Sequence, residues 1–121
     1  MRMRSHRDLE VWQRAMRFVQ GVYAATERFP RHERGNLQSQ LRRAAVSIPA
    51  NIAEGHGRRT DGIFARHLDI ALGSAAEVDT LLQLALDLGY LSADSHTQLT
   101  EDLTIITKML HVLYRRVRAN R

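Results

Sequence analysis

The sequence predicts an all-α protein, an antiparallel up-down-up-down four-helix bundle with long helices that assembles as a homo-oligomer. Apolar residues recur at spacings of three and four along four long stretches, as in amphipathic helices. The 121 residues include only 2 Pro and 7 Gly, which leaves little room for the turns of a β-fold. The connections between the stretches are short, as in an antiparallel bundle. We expect one domain over residues 1–121, with helices at about 8–28, 36–56, 60–88 and 92–118.

The first predicted helix carries more apolar surface than one core requires. It begins at Asp8, a favourable N-cap residue. It ends before Pro30, because a residue that precedes proline avoids the α region. Two adjacent apolar stripes predict burial on two sides and therefore association with another surface. The first stripe is Leu9, Trp12, Met16, Val19, Tyr23 and Thr26. The second stripe is Val11, Ala15, Phe18, Val22, Ala25 and Phe29.

The second predicted helix contains a proline. Asn36 is expected to cap its start, and Gly55-His-Gly57 is expected to end it. Pro49 lies inside the apolar pattern and cannot donate a hydrogen bond to the carbonyl of Ala45, so we predict a kink at Pro49. We expect the side chain of Asn51 to satisfy that carbonyl.

The third and fourth predicted helices have clear start signals. Thr60 and Ser92 stand where a side chain can cap the first free amides. Gly89 is expected to end the third helix. Gly73, in the middle of that helix, is expected to permit close approach of another backbone, although a helix also tolerates an isolated glycine.

Two acidic residues stand in otherwise apolar neighbourhoods. Glu54 lies near the end of the second predicted helix and Glu77 in the middle of the third. We expect Glu77 to pair with Arg42 or Arg43 across the contact between these helices. A ligand site at these residues is the alternative.

Charge is unevenly distributed along the chain. The formal net charge is +5, yet residues 60–102 carry eight acids against one arginine. The flanking stretches are basic, and residues 103–121 contain five basic residues and no acid. This asymmetry favours either a polyanionic partner or pairing between copies of the chain. A solvated surface without a partner is the alternative.

Arginines are the candidate nucleic-acid ligands. Arg14, Arg17 and Arg28 fall outside both apolar stripes and share one outward side of the first helix, a line of about 21 Å. Aromatic residues make up 6% of the chain and lie mostly on the apolar stripes, so base stacking is not expected. Binding through phosphates is tolerant of sequence and strongly salt-dependent. The candidates are Arg14, Arg17, Arg28, Arg58, Arg59, Arg115, Arg116 and Arg118, and Arg2, Arg4, Arg7 and Arg121 add to the basic total.

The sequence favours no enzymatic chemistry. It has no cysteine, which excludes disulfides and thiolate sites. No glutamate has a histidine three residues later, and no two histidines are four residues apart, so a metal site is not expected. Nothing in the sequence brings Ser39, Ser47 or Ser74 beside a histidine. We expect a protein with no catalytic residues, cofactor or metal.

The sequence also favours a cytoplasmic protein with no membrane partner. No uncharged run approaches the length of a membrane span. The basic residues at the start of the chain are not followed by the apolar core of a signal peptide.

The stretch Ser39–Gly55, with its ending Ser47-Ile-Pro-Ala-Asn-Ile-Ala-Glu-Gly55, resembles a known family motif. Asp8–Met16, Phe29-Pro30, and Ala71–Glu77 leading to Leu88–Leu91 agree with the same family. These are the bacterial four-helix-bundle proteins named for intervening sequences in 23S rRNA genes. The family includes the accessory variability determinant of diversity-generating retroelements. The resemblance implies a homopentamer, an RNA or DNA ligand and a reverse-transcriptase-like protein partner. It also marks Arg43, Pro49, Asn51, Glu54, Gly55 and Glu77 as residues of a structural motif.

Together these patterns predict a non-enzymatic oligomeric scaffold that binds nucleic acid through arginine-rich faces. The alternative is a protein–protein assembly module with no affinity for nucleic acid. The two differ in whether the arginines stay exposed to solvent in the oligomer.

Overall fold

The computed structural model describes residues 5–120 and confirms an all-α protein with four helices and no strand in that range. Each helix begins and ends within two residues of its predicted bounds. A single 3-10 turn precedes each of the first two helices, at His6–Asp8 and Arg31–Glu33. None of the helices within residues 5–120 has an apolar stretch able to cross a membrane. The helices are α1 Glu10–Thr26, α2 Leu37–His56, α3 Asp61–Asp87 and α4 Ala93–Ala119.

The four helices pack around one core. α1 and α3 each pack against both α2 and α4. Thr26, the last residue of α1, bonds to Gln38 near the start of α2. Asn51, late in α2, bonds to His67, early in α3. α2 continues without a break through Pro49, which is buried, and the kink predicted there stays a prediction.

Of the two apolar stripes on α1, only the second, which runs from Val11 to Phe29, is buried along most of its length in the single chain. Val22 and Ala15 of that stripe are inaccessible to solvent and join the central cluster. Met16 and Tyr23 of the other stripe are 39% and 43% exposed. The second buried side that we predicted for α1 is therefore not supplied within the described residues.

Local signals place the ends of the later helices. The side-chain oxygen of Thr60 accepts a hydrogen bond from the amide of Ile63 at 3.2 Å, which confirms the predicted cap of α3. The hydroxyl of Ser92 caps α4 in the same way, at 3.1 Å from the amide of Ser95. Gly89 has a φ of 78° in the turn after α3, a conformation that favours glycine.

Two predicted caps are wrong. Asp8 lies in the first 3-10 turn, and Leu9 stands at the N-cap of α1 with no side-chain hydrogen bond. Asn36 does stand at the N-cap of α2, but its side chain does not cap the helix. The carboxylate of Glu33 does so instead, accepting a hydrogen bond from the amide of Leu37 at 3.4 Å.

The carboxylate of Glu33 joins the start of α2 to the connection between α3 and α4. Only 9% of the residue is exposed. It accepts hydrogen bonds from the side chain of Asn36 at 3.1 Å and from the hydroxyl of Tyr90 at 3.0 Å. Burial by itself raises the pKa of Glu33. The hydrogen bonds from Tyr90 and the start of α2, with the charge of His32, outweigh burial and lower that pKa. The hydrogen bond to Glu33 in turn raises the pKa of Tyr90.

Close helix contact occurs at Gly55 and not at Gly73. A Cβ atom at Gly55 would lie 2.5 Å from Cβ of His67 and 3.1 Å from the ring of Phe64. A Cβ atom at Gly73 would meet nothing within 4 Å outside its own helix. The expectation of close backbone approach at Gly73 is therefore wrong. Gly55, which belongs to the family motif and to the run that we expected to end α2, is where α2 and α3 approach closely.

The two glycines should respond oppositely to alanine. Gly55→Ala is expected to lower the free energy of unfolding by about 1–3 kcal/mol, because His67 has to shift. Gly73→Ala is expected to raise it by up to about 1 kcal/mol, because alanine is the better helix former. Urea unfolding followed by circular dichroism measures both. Equal effects from the two substitutions would contradict the close contact at Gly55.

Replacing Glu33 tests its role as a charged cap. Because the pKa of Glu33 is lowered in the folded protein, its ionised carboxylate stabilises the fold at pH values above the ordinary pKa of 4.5. This stabilisation is lost as the pH falls through the lower pKa of the folded protein. Glu33→Gln should therefore lower the Tm at neutral pH, and the difference from the wild type should close under acid conditions.

Thermal unfolding at a series of pH values measures this effect. Glu101→Gln is the matched control, since Glu101 is exposed and makes no ion pair within residues 5–120. A Tm difference for Glu33→Gln that stays constant with pH would rule out the charge as its cause.

Candidate nucleic-acid interface

Arginines from three separate segments lie at one end of the bundle. Leu9 and Val11, at the start of α1, share a cleft with Leu113 and Arg116 of α4. The 3-10 turn before α1 contacts α2. The last residue of α1 bonds to the start of α2. The end of α2, and with it the connection from α2 to α3, therefore lies beside the start of α1. We call this surface the basic end, and it comprises Arg7, Arg58, Arg59, Arg115, Arg116 and Arg118.

The charges of the basic end are only partly compensated. Arg58 pairs with Glu54 at 3.0 Å, one helical turn away. Arg59, Arg115 and Arg116 are exposed and form no ion pair within residues 5–120. Exposed guanidinium groups without a carboxylate partner are available to phosphate, which they bind through two parallel hydrogen bonds.

Two arginines of the basic end are held against aromatic rings. The guanidinium carbon of Arg7 lies 5.5 Å from the ring centre of Trp12. That of Arg118 lies 5.7 Å from the ring centre of Tyr114, and one of its nitrogens donates a hydrogen bond to the hydroxyl of Tyr114 at 3.4 Å. These cation–π contacts restrict the side chains without removing their charge.

The arginines of α1 form a weaker candidate than their spacing predicted. Arg14 pairs with Glu10 at 3.4 Å, so part of its charge is compensated. Arg17 is exposed and has no ion pair within residues 5–120. Arg28 lies beyond Thr26, where α1 ends, so the predicted straight row does not extend to it.

Five of the eight predicted nucleic-acid ligands thus belong to the basic end, and three lie along or after α1. Arg7 was not among the eight, although the excess of basic residues at the start of the chain was a signal for it. Arg2, Arg4 and Arg121 lie outside the described residues. The sequence could not show that residues near both ends of the chain meet the α2–α3 connection, because that depends on how the helices pack.

The family-motif residues of α2 form a polar chain toward α3. The side-chain amide of Asn51 donates to the carbonyl oxygen and the hydroxyl of Ser47, at 2.9 and 3.0 Å. The hydroxyl of Ser47 lies 2.8 Å from that of Ser74. Asn51 therefore bonds to Ser47 and not to the carbonyl of Ala45 that Pro49 leaves free, which corrects our expectation.

The same chain fixes the orientation of His67. The Oδ1 atom of Asn51 lies 3.0 Å from Nδ1 of His67, and since Oδ1 can only accept, Nδ1 carries the proton. Asn51 stands between His67 and Ser47, so these two side chains are linked through the amide and not directly. The arrangement joins two helices and does not form a nucleophile–base pair.

The ion pair predicted for Glu77 is not formed. Glu77 is exposed and, within residues 5–120, makes no ion pair with Arg42 or Arg43. Arg42 turns toward α1 and pairs with Glu27 at 3.4 Å. Arg43 is exposed on the outer side of α2. The spacing of charges did not reveal which side of α2 each arginine occupies.

These features define an all-α helical-bundle protein whose distinctive surface is cationic. Within residues 5–120, no three histidine or acidic side chains are arranged to hold a metal ion. The chain belongs to the family of 23S rRNA-intervening sequence proteins, whose family model matches residues 7–112. The family resemblance is confirmed, and the link to retroelements stays a prediction.

The fold also resembles a solved structure. This is the 1.70 Å crystal structure of a protein of unknown function from the S23 ribosomal protein family of Bacteroides thetaiotaomicron. The two chains are 24% identical with a TM-score of 0.79, and the match covers 87% of this chain and 95% of that one. At this level of identity the likeness establishes the fold alone. No curated protein matches the chain.

Proposed function

We propose that this protein is a non-enzymatic cytoplasmic scaffold, an antiparallel helical bundle that associates with copies of itself and binds nucleic acid through the basic end. The observation that carries the proposal is the group of exposed, unpaired guanidinium groups of Arg59, Arg115 and Arg116. Arg59 lies in the connection from α2 to α3 and the other two lie near the end of α4, so a phosphate backbone laid across this end could contact both segments. A homopentamer, which the resemblance implies, would repeat this surface five times.

Repetition matters because each contact with a phosphate is weak. Copies held in one assembly bind a long polyanion with avidity, since the first contact raises the effective concentration of the next. Contacts with phosphates release condensed counterions, so affinity falls steeply with salt. Such contacts carry no direct sequence information, and binding is accordingly tolerant of sequence.

Charge reversal at the basic end tests the proposal. The double variant Arg115→Glu with Arg116→Glu should reduce the magnitude of the log–log salt slope by about one for each phosphate that the variant no longer binds. The measurement is fluorescence anisotropy of short labelled RNA and DNA with nuclease-treated protein, between about 50 and about 200 mM salt. Arg31→Glu combined with Thr97→Glu and Gln98→Glu is the matched control, because it changes the net charge equally at exposed positions of the opposite end of the bundle.

Two results would count against the proposal. One is an absence of binding at the lowest salt, where phosphate contacts are strongest. The other is an equal reduction of the slope in the control variant, which would assign binding to the overall charge of the chain and not to the basic end.

A second candidate is a protein assembly module without affinity for nucleic acid, and an exposed apolar stripe on α3 favours it. Ile63, Ile70 and Leu84 are exposed at intervals of seven or fourteen residues, and Leu88 lies one turn beyond. Glu77 interrupts the stripe at its centre. A row of large exposed apolar side chains is typical of an interaction surface. A second copy of the chain or a reverse-transcriptase-like protein would cover it in this candidate.

The α3 stripe is testable independently of nucleic acid. Ile70→Glu is expected to reduce the solution mass toward the 13.8 kDa of a single chain, because a buried unpaired carboxylate opposes association. Size-exclusion chromatography with light scattering measures this mass. Ile105→Glu is the matched control, since Ile105 and Ile70 are 41% and 44% exposed on different helices. An unchanged mass for Ile70→Glu would exclude the stripe as the contact.

A further inference from the structure

A second basic surface lies at the opposite end of the bundle from the basic end. It is an open groove of about 500 Å³ between the end of α1 and the outer side of α2. Its walls include three arginines, Arg34, Arg42 and Arg43, together with the ring of Tyr23. No carboxylate lines it among the described residues. We call it the α2 groove.

Arg42 is fixed in place at the floor of the α2 groove. Its Nε atom donates to the hydroxyl of Thr26 at 2.9 Å, and Nη2 donates to the carbonyl oxygen of Tyr23 at 3.2 Å. Nη2 also reaches Glu27 at 3.4 Å, and the Glu27 side chain is 80% exposed. Both hydrogens on Nη1 are left without a partner within residues 5–120, so they form a pre-positioned pair of donors.

Two further guanidinium groups stand beside this donor pair. Arg34 and Arg43 are exposed and form no ion pair within residues 5–120. Ser39, one helical turn before Arg43, adds a hydroxyl to the same wall. Three guanidinium groups, two of them uncompensated, provide the charge and the donors that a phosphate group requires.

Tyr23 adds an aromatic ring to the α2 groove, which the arginines alone do not provide. Tyr23 as a residue is 43% exposed, and the guanidinium carbon of Arg42 lies 4.4 Å from the ring centre. Composition gave no reason to expect an aromatic residue among the arginines, because Tyr23 falls on an apolar stripe of α1. An exposed ring beside phosphate-binding arginines is the combination on which nucleic-acid bases stack.

We propose that the α2 groove binds one nucleotide, with its phosphate on Arg34, Arg43 and the free edge of Arg42, and its base against Tyr23. The nucleotide is either part of an RNA or DNA strand or a free mononucleotide. The strand-bound form rests on the proposed function, whereas the free form does not.

The test uses two probes, a labelled oligouridylate and AMP carrying a fluorescent N-methylanthraniloyl group. Arg43→Glu should weaken binding of whichever probe occupies the groove by about tenfold, equivalent to about 1.4 kcal/mol. Tyr23→Leu keeps an apolar side chain but removes the ring, and should weaken binding by about fivefold or more. The two variants differ in their salt dependence. Arg43→Glu lowers the slope for the strand by about one, and Tyr23→Leu leaves it unchanged.

Arg31→Glu is the matched control. Arg31 is exposed at the same end of the bundle but does not line the α2 groove. It should leave the affinity for both probes within about twofold of the wild type, since it affects only the general field. Circular dichroism confirms that each variant is folded.

The outcomes separate this proposal from the proposed function. If the groove variants weaken binding of AMP while the wild type does not bind the strand, the groove is a site for free nucleotides and the proposed function fails. If strand binding depends on the basic end but the groove variants behave like Arg31→Glu, the groove proposal fails alone. Binding of neither probe overturns both. A change in oligomeric mass caused by Arg43→Glu assigns the groove to another copy of the chain and overturns the proposal.

Discussion

The nearly buried carboxylate of Glu33 is the constraint on which the arrangement at one end of the bundle depends. A desolvated carboxylate is costly unless it receives hydrogen bonds. Glu33 receives them from the first turn of α2 and from Tyr90 in the connection between α3 and α4. Satisfying a single group therefore fixes where α2 begins and where the later pair of helices lies relative to it.

The start of α2 in turn determines the environment of the α2 groove. Once α2 begins at Leu37, Gln38 and Arg42 lie one turn apart and both face the end of α1. Thr26 accepts hydrogen bonds from both, through its carbonyl oxygen and its hydroxyl. The hydroxyl of Thr26 is itself fully buried and donates to the carbonyl oxygen of Val22 at 2.8 Å. Arg42 is thus held over Tyr23 by polar groups that burial obliges to pair.

Local signals in the sequence were sufficient for the helices but not for the polar contacts between them. Thr60 and Ser92 cap helices through amides only three residues away, so the sequence alone identifies them. Asp8 and Asn36 belong to the same residue class, yet a 3-10 turn before each helix changes which group meets the first amides. Propensity does not distinguish these cases, because the alternative cap at Glu33 also depends on Tyr90, far along the chain.

Contacts between helices depend on the rotation of each helix about its axis, which spacing does not specify. Gly55 and Gly73 are both helical glycines, but only the first faces a neighbouring helix closely. Arg42 and Arg43 are adjacent in sequence, and a step of about 100° around the helix sends one toward α1 and the other outward. The charge pattern therefore predicted the overall basic character of the protein. It could not predict that Glu77 makes no ion pair with Arg42 or Arg43, or that Arg42 lies over Tyr23, because both depend on how the helices pack.

The positions of the two cationic surfaces restrict the kind of ligand that can use both. α1 has 17 residues and is therefore about 25 Å long, and it separates the basic end from the α2 groove. A mononucleotide cannot span that distance, so it can occupy only the groove. A strand of several nucleotides can reach both surfaces, and the second contact then benefits from the effective concentration that the first creates. A polymer that engages both ends would release counterions at each of them and gain stacking only in the α2 groove, so the two contacts differ in salt dependence.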